Sequence, residues 1–275
     1  MARSAHPHPH PPTRVGTLLR DWRVRRRLSQ MELALEAGVS ARHVSFVETG
    51  RSTPSAEMIL HLAAQLEVPL RERNQLLLAA GFAPVYSQRD LDELFGPAHP
   101  VRAALDRILT AHEPSPALAV DRHWGMVAAN RAVGALLTGV APHLLEPPVN
   151  VLRLSLHPDG LAPRIVNLAQ WRTHVLDRLA RQAAHTGDPA LSALHEELSA
   201  LGDGARDSSA HERLADLFVP LRLLVDGREL AFLSTVTTFG TATDITLAEL
   251  AVEAFLPADA ATAEAMRAAA AAAAA

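Results

Sequence analysis

The chain lacks cysteine altogether, and this absence excludes disulfides, thiolate metal sites and cysteine nucleophiles. It also lacks lysine, so all 26 of its cationic side chains are arginines, a bias that we attribute to genomic base composition. No apolar run approaches the about 20 residues that a membrane-spanning helix needs. No signal-peptide core follows Met1. We therefore expect a cytoplasmic protein with no membrane partner.

Charge is distributed unevenly along the 275 residues, although the net charge is only −4. Residues 14–90 hold 11 arginines against 8 acids, a net charge of +3. Residues 91–275 hold 14 arginines against 22 acids, a net charge of −8. This division favours two domains, of which only the first is suited to a polyanionic partner.

Both ends of the chain are biased in composition. Residues 1–12 alternate histidine and proline, and we predict a disordered tail because proline prevents a helix and nothing there can pack. Weak metal binding is the alternative for this stretch. Residues 268–275 form an alanine-rich tail with no core pattern, and we assign them no function.

The pattern of residues 13–83 predicts an all-α domain of five helices with a helix-turn-helix inside it. Ser29 and Glu32 form a capping box at the start of one helix. Gly38 provides the turn, because a Cβ would resist the backbone angle that the turn requires, and Ser40 caps the next helix. Two capped helices joined by so short a turn are typical of DNA-binding proteins.

The second helix of this motif has few residues that can hold it in place. Val44 and Val47 face inward, so its other side is free to enter a major groove, where arginine, serine and phenylalanine contact base edges. Helix N-termini and flanking arginines bind phosphate. A generic helical bundle with a solvated surface is the alternative. The candidate DNA-binding residues are Arg27, Gln30, Ser40, Ala41, Arg42, His43, Ser45, Phe46 and Arg51.

After a linker at residues 84–100, the pattern of residues 101–267 predicts an α+β domain with an antiparallel sheet. "PALAVDRHWGMVAAN" indicates two strands with a turn at residues 123–125. "PLRLLVDGRELAFLSTVTTF" indicates a hairpin across Asp226-Gly227, and "ITLAELAVEAF" indicates a further strand.

The segment "LSQMELALEAGVSARHVSFVETGRSTPS" resembles the Xre class of phage-repressor-type helix-turn-helix regulators over residues 14–80. The resemblance implies a lambda-repressor-like five-helix domain. It also implies that Gln30, Ala41 and Arg42 contact DNA, and that Arg23 and Glu48 form a buried structural pair.

Three further segments, "PLRERNQLLLAAGFAP", "PALAVDRHWGMVAANRA" and "VNVLRLSLHPDG", resemble the MmyB-like regulators. The resemblance implies a PAS-like ligand-binding domain behind the DNA-binding domain. Its implied ligand is a small apolar effector, with a long-chain fatty acid as the expected type. Residues 203–216 carry no matching pattern.

The candidate cavity lining is apolar, and ordinary core packing is the alternative for each residue in it. The polar end of the ligand would meet Arg131, Arg153 or His157. The apolar candidates are Leu136, Leu137, Leu152, Leu154, Leu156, Trp171, Phe232 and Phe239.

Other classes of function are less well supported by the residues. Heme is a competing cargo, but no segment singles out its ligand. No segment resembles a nucleophile elbow, and the helix containing His195 lacks the second histidine of a zinc site. We therefore expect neither a catalytic site, nor a metal site, nor a cofactor other than a bound apolar ligand.

The sequence thus predicts a transcription regulator that binds a double-stranded DNA operator as a homodimer, since such proteins bind two half-sites about one helical turn apart. The alternative is a protein-interaction or lipid-carrier module without sequence-specific DNA binding.

Overall fold

The computed structural model describes residues 14–96, 99–202 and 219–274. The chain divides into two compact units, of which the first runs to Gln88 and also includes Ala184–Thr186. The predicted tail of residues 1–12 and the patternless segment 203–216 lie outside the described residues. No helix in the described ranges combines the length and the apolar character that crossing a bilayer requires.

The N-terminal unit is all-α, as predicted. Its helices are α1 (Arg14–Arg25), α2 (Gln30–Glu36), α3 (Ala41–Glu48), α4 (Ala56–Gln65) and α5 (Leu70–Ala79). Their apolar stripes meet in one core, in which Leu19, Leu33, Ile59, Leu62 and Leu77 are no more than 1% exposed.

The C-terminal unit is an α+β fold around one antiparallel sheet. Its helices are α6 (Leu91–Leu94), α7 (Pro100–Ala111), α8 (Arg131–Leu136), α9 (Val151–Leu156), α10 (Leu168–Thr186), α11 (Pro189–Ala200), α12 (Ile245–Ala248) and α13 (Ala260–Ala274). Its strands are β1 (Ala117–Val120), β2 (Met126–Ala129), β3 (Leu221–Val225), β4 (Arg228–Thr238) and β5 (Ala251–Pro257). The order in the sheet is β2-β1-β5-β4-β3.

The two faces of this sheet are buried against different layers, because successive side chains of a strand point to opposite sides. In β1, Leu118 and Val120 join the main core with α8, α9 and α10. Ala117 and Ala119 instead pack in a smaller cluster with Leu105 of α7. The face of β1 and β5 that carries Leu118 is therefore covered by α8, α9 and α10. The opposite face is covered by α7.

Most of the predicted sheet is confirmed, including the hairpin turn, where Val225 pairs with Arg228 across Asp226-Gly227. The prediction of a strand beginning at Ile245 is wrong for its first part. Asp244 accepts hydrogen bonds from the Thr246 and Leu247 amides, which starts the short helix α12, and the strand begins only at Ala251.

Two segments predicted to lack regular structure are partly helical. Leu91–Leu94 within the expected linker forms α6. The alanine run after Arg267 continues α13 to Ala274, because alanine has the highest helix propensity of all residues.

Gly16 lets α1 approach α3 closely. A Cβ at this position would lie against the backbone carbonyl oxygens of Val47 and Glu48, at 2.8 Å from the latter. We predict that Gly16→Ala destabilises the N-terminal unit by about 1–3 kcal/mol, the usual cost of overpacking. Hydrogen exchange of the α1 and α3 amides measures this loss.

The control for this substitution is Gly134→Ala in α8. Nothing lies within 4 Å of a Cβ placed at Gly134, and alanine is favoured over glycine in a helix by about 0.5–1 kcal/mol. Wild-type protection of α1 and α3 in Gly16→Ala would contradict the close approach described for Gly16.

Candidate DNA-binding surface and ligand cavity

The helix-turn-helix is fixed by its own caps. The Ser29 hydroxyl accepts the Glu32 amide while Glu32 accepts the Ser29 amide, as the capping box predicts. Gly38 adopts a φ of 64°, and the Val39 amide donates to the Ala34 carbonyl at 2.9 Å. These bonds fix the orientation of α3 relative to α2.

The free face of α3 carries an aromatic ring between two cations. Val44 and Val47 are 1% exposed and hold the helix to the core. On the other side, the guanidinium carbons of Arg42 and Arg51 lie 5.0 and 5.8 Å from the ring centre of Phe46. Cation–π contact of this kind orients both arginines on the surface.

A buried network of side chains links α1, α2 and α3. Arg23 donates from Nε and Nη2 to the two carboxylate oxygens of Glu48 at 2.7 and 2.9 Å, and from Nη1 to the Leu28 carbonyl. Gln30 donates from Nε2 to Glu48 at 2.7 Å. The hydrogen bonds to Glu48 raise the pKa of Arg23 despite burial. The predicted structural pair is confirmed, and it also orients Gln30.

The remaining candidates occupy the same motif. Arg27 and Ser40 are exposed, and the Ser40 hydroxyl caps α3 by accepting the His43 amide at 3.1 Å. Ala41, His43 and Ser45 are half-buried. The Nε2 atom of His43 is buried with no hydrogen-bond partner among the described residues.

In the C-terminal unit, a cavity lies between the sheet and α8, α9 and α10. The cavity itself measures about 70 Å³, and the space that continues from it into open solvent totals about 800 Å³. Fifteen of the eighteen lining residues are apolar. The lining consists of Pro116, Leu118, Trp124, Met126, Val133, Leu136, Leu137, Val151, Leu152, Leu154, Ser155, Leu161, Trp171, Val175, Arg178, Leu221, Glu253 and Phe255.

The polar part of this lining is an ion pair and one serine. Arg178 of α10 donates from Nη1 to Oε1 of Glu253 at 3.0 Å, and the Ser234 hydroxyl donates to the same oxygen. The Glu253 side chain is 6% exposed and that of Arg178 is 26% exposed. Ser155 accepts the Trp171 indole N–H at 2.9 Å.

Trp124 is fixed from two sides at the cavity wall. Its indole N–H donates to Gln182 at 2.8 Å, and the guanidinium carbon of Arg178 lies 4.4 Å from its ring. Its φ of 68° is uncommon for a bulky residue. The turn between β1 and β2 therefore places an aromatic ring against the guanidinium of Arg178 from α10.

Both units match known protein families. The family described as the MmyB-like transcription regulator ligand binding domain matches residues 101–269. A helix-turn-helix family matches residues 19–73. The chain belongs to the MmyB-like transcription regulators. A comparison with curated proteins finds no match.

This membership confirms the resemblance seen in the sequence. The protein is a DNA-binding transcription regulator with a ligand-binding domain, and domains of these two families are typically non-enzymatic.

The structure brings only some of the predicted ligand-binding residues of this MmyB-like regulator to the cavity. Of the apolar candidates, five line it: Leu136, Leu137, Leu152, Leu154 and Trp171. Leu156 and Phe232 are buried in the same core but do not line the cavity. Phe239 lies in the smaller cluster on the opposite face of the sheet, so its predicted place in the lining is corrected.

None of the cationic residues predicted to meet the polar end of a ligand lines the cavity. Arg131 pairs with Glu113 at 3.0 Å, and Arg153 pairs with Glu197 at 2.6 Å. His157 accepts the Asp159 amide. Arg153 is turned outward because the neighbouring positions of α9 face the cavity and its own position lies on the other side of the helix.

Arg178 and Glu253 were missed by sequence reasoning, although the signals are present. Trp171, Val175 and Arg178 recur at helical spacing on one stripe of α10. Ala251, Glu253 and Phe255 occupy every second position of β5, which places all three on the same face of the strand. An acidic side chain on the inward face of a strand needs a partner, because burying an unpaired charge is costly.

We predict different consequences for Arg42→Ala and Arg51→Ala in the regulator. Arg42 lies at the start of α3, so its loss should relax base preference at a cost of about 1–3 kcal/mol. Arg51 follows α3, so its loss should weaken binding to all sequences and flatten the salt dependence by about one unit. Fluorescence anisotropy with a promoter fragment and random competitor DNA distinguishes the two.

A third substitution tests whether the ring organises both arginines. Phe46→Leu removes the aromatic face but keeps an apolar side chain, so we expect it to weaken specific and random binding together. Arg102→Ala in α7, whose exposed side chain pairs with Asp106, is the control and should leave DNA binding unchanged.

Equal effects of Arg42→Ala and Arg51→Ala on specific and random DNA would refute the assigned roles.

Proposed function

We propose that this regulator binds operator DNA through α3 as a homodimer and senses an elongated apolar effector in the cavity of its C-terminal unit. A long-chain fatty acid is the expected type of effector. The observation that carries the sensing part of the proposal is the cavity lining, in which 15 of the 18 residues are aliphatic or aromatic.

The apolar lining supports an effector with a hydrocarbon chain. Burial of each CH₂ group contributes about 0.8 kcal/mol, which corresponds to about a four-fold gain in affinity. A chain of increasing length should therefore bind progressively more tightly until it fills the cavity.

The elements around the cavity also support a regulatory response. Helices α8 and α9 have six residues each, and both contribute to the lining. Short helices of this kind depend on packing more than on their own hydrogen bonds. An effector that fits one arrangement of α8 and α9 better than another would shift the population of the ligand-binding unit and so change operator affinity.

We predict that binding of an apolar chain changes the fluorescence of the protein. Trp124 and Trp171 line the cavity, whereas Trp22 belongs to the core of the N-terminal unit. Titration with saturated chains of eight to fourteen carbons should alter the emission with affinity rising about four-fold per methylene. The response should be lost in a Trp124→Phe, Trp171→Phe double variant.

A cavity-filling variant provides the functional link. Leu152→Trp should occupy the space and abolish the titration, whereas Leu224→Trp at a residue 44% exposed on β3 should not. Saturating effector should change operator affinity of the wild type by a factor within the usual allosteric range of about 5–150. An effector that binds with no change in operator affinity would contradict the proposed sensing role.

A further inference from the structure

We infer that His143, His157 and Asp159 form a binding site for a late first-row divalent cation such as Zn²⁺. Among the described residues, these three side chains form a cluster in which one ligand atom from each lies within 4.8 Å of the other two. Such a site is not expected from the sequence, in which the two histidines are far apart along the chain.

The chemistry of the three side chains suits this class of ion. Two imidazoles and one carboxylate favour Zn²⁺, Ni²⁺ or Co²⁺, whereas Mg²⁺ and Ca²⁺ prefer oxygen ligands. Three protein ligands also leave a fourth position for water, as in an open zinc site. The rings of His143 and His157 lie at 78° to each other, with centres 5.7 Å apart. The rings are therefore not stacked face to face, and their nitrogens can approach one ion from different directions.

His157 already holds the protonation state that a metal ligand needs. Its Nδ1 atom accepts the Asp159 amide at 3.0 Å, so this nitrogen carries no proton. A histidine binds a metal ion through an unprotonated nitrogen. Binding at Nδ1 would exchange this hydrogen bond for a bond to the ion. Because Asp159 is exposed, water can then accept its amide.

The distance between His157 and Asp159 is close to that of two ligands of one ion. Oδ2 of Asp159 lies 3.8 Å from Nδ1 of His157. Two ligands of a tetrahedral zinc ion are roughly 3.3 Å apart, because each bond is about 2.0–2.1 Å long. The Asp159 side chain is 60% exposed and free to rotate over this small difference.

Backbone hydrogen bonds hold the two segments of the cluster together. His143 lies in the short 3-10 helix Pro142–Leu144, and His157 follows the last residue of α9. The Ala141 amide donates to the Asp159 carbonyl at 3.0 Å. The backbone that carries the three ligands is therefore fixed, and only their side chains need to rotate to share an ion.

Gly160 keeps the turn after α9 tight. Its amide donates to the His157 carbonyl at 2.9 Å, and a Cβ at this position would meet the carbonyl oxygen of Leu154. The turn therefore holds Asp159 close to the end of α9, beside His157.

An ion bound here would fasten the C-terminal end of α9. This helix has six residues and contributes Leu152 and Leu154 to the cavity lining. So short a helix depends on its surroundings more than on its own hydrogen bonds. A bond from His157 to an ion that also binds His143 would therefore restrict the opening of α9.

Calorimetric titration of ZnCl₂ at pH 7.5 into the full-length chain tests the site. The His6→Ala, His8→Ala, His10→Ala triple variant serves as the background, because the histidines of residues 1–12 are a second place where Zn²⁺ could bind. We expect this background to retain a saturable Zn²⁺ site and to show no comparable binding of Mg²⁺. Absence of saturable Zn²⁺ binding in the background would overturn the inference.

Substitution of the ligands in that background locates the site. His143→Ala and Asp159→Asn should each weaken Zn²⁺ binding at least about ten-fold, since even the outer partners of metal ligands contribute this much. Both residues are exposed, so the core stays intact. His195→Ala in α11 removes a histidine outside the cluster and is the matched control, with unchanged affinity expected. Unchanged affinity in both ligand variants would overturn the inference.

Hydrogen exchange tests whether the ion fastens α9. Zn²⁺ should slow exchange of the α9 amides in the background and not in His143→Ala. Equal exchange of α9 with and without bound Zn²⁺ would refute the fastening role. Neither measurement involves an apolar effector, so a negative result would leave the proposed function standing.

Discussion

The buried ion pair between Arg23 and Glu48 is the interaction on which the DNA-binding surface depends. It joins α1 to the end of α3, and Gln30 of α2 donates into the same carboxylate. Removal of one partner would leave an uncompensated buried charge, which is far more costly than the pair itself is stabilising. Because all three guanidinium nitrogens of Arg23 and both carboxylate oxygens of Glu48 are engaged, α3 is held in one orientation and its outer face is left to contact a duplex.

The same pair of residue types has a different consequence in the C-terminal unit. Arg178 and Glu253 share a single hydrogen bond, and Ser234 adds a second one to the same oxygen. Arg178 and Glu253 lie in the lining of a cavity in which Ser155 is the one other polar residue of the described lining. One pair fixes a fold, and the other lies in the wall of the proposed effector site.

Much of the fold was predictable from local patterns. The caps at Ser29 and Ser40 and the turn at Asp226-Gly227 depend on neighbours in the sequence, and each is confirmed. The start of β5 was not predictable in this way, because a helix cap by Asp244 overrides the alternating pattern that begins at Ile245. The alanine run was judged by its lack of a core pattern, although helix propensity alone suffices to continue α13.

The site residues likewise divide into those that local patterns predict and those that depend on the tertiary fold. Leu136, Leu152 and Trp171 were found because apolar periodicity marks an inward face, yet that signal does not distinguish lining from core, as Phe232 shows. The partners Arg178 and Glu253 are 75 residues apart, so their pairing depends on the tertiary fold.

Nitrogen-15 NMR of arginine side chains in the full-length protein, titrated with dodecanoate, tests most directly whether the cavity is the effector site. The account predicts that the Arg178 Nε resonance shifts while that of Arg23 stays in place. A fixed Arg178 resonance in a protein that binds the ligand would contradict it.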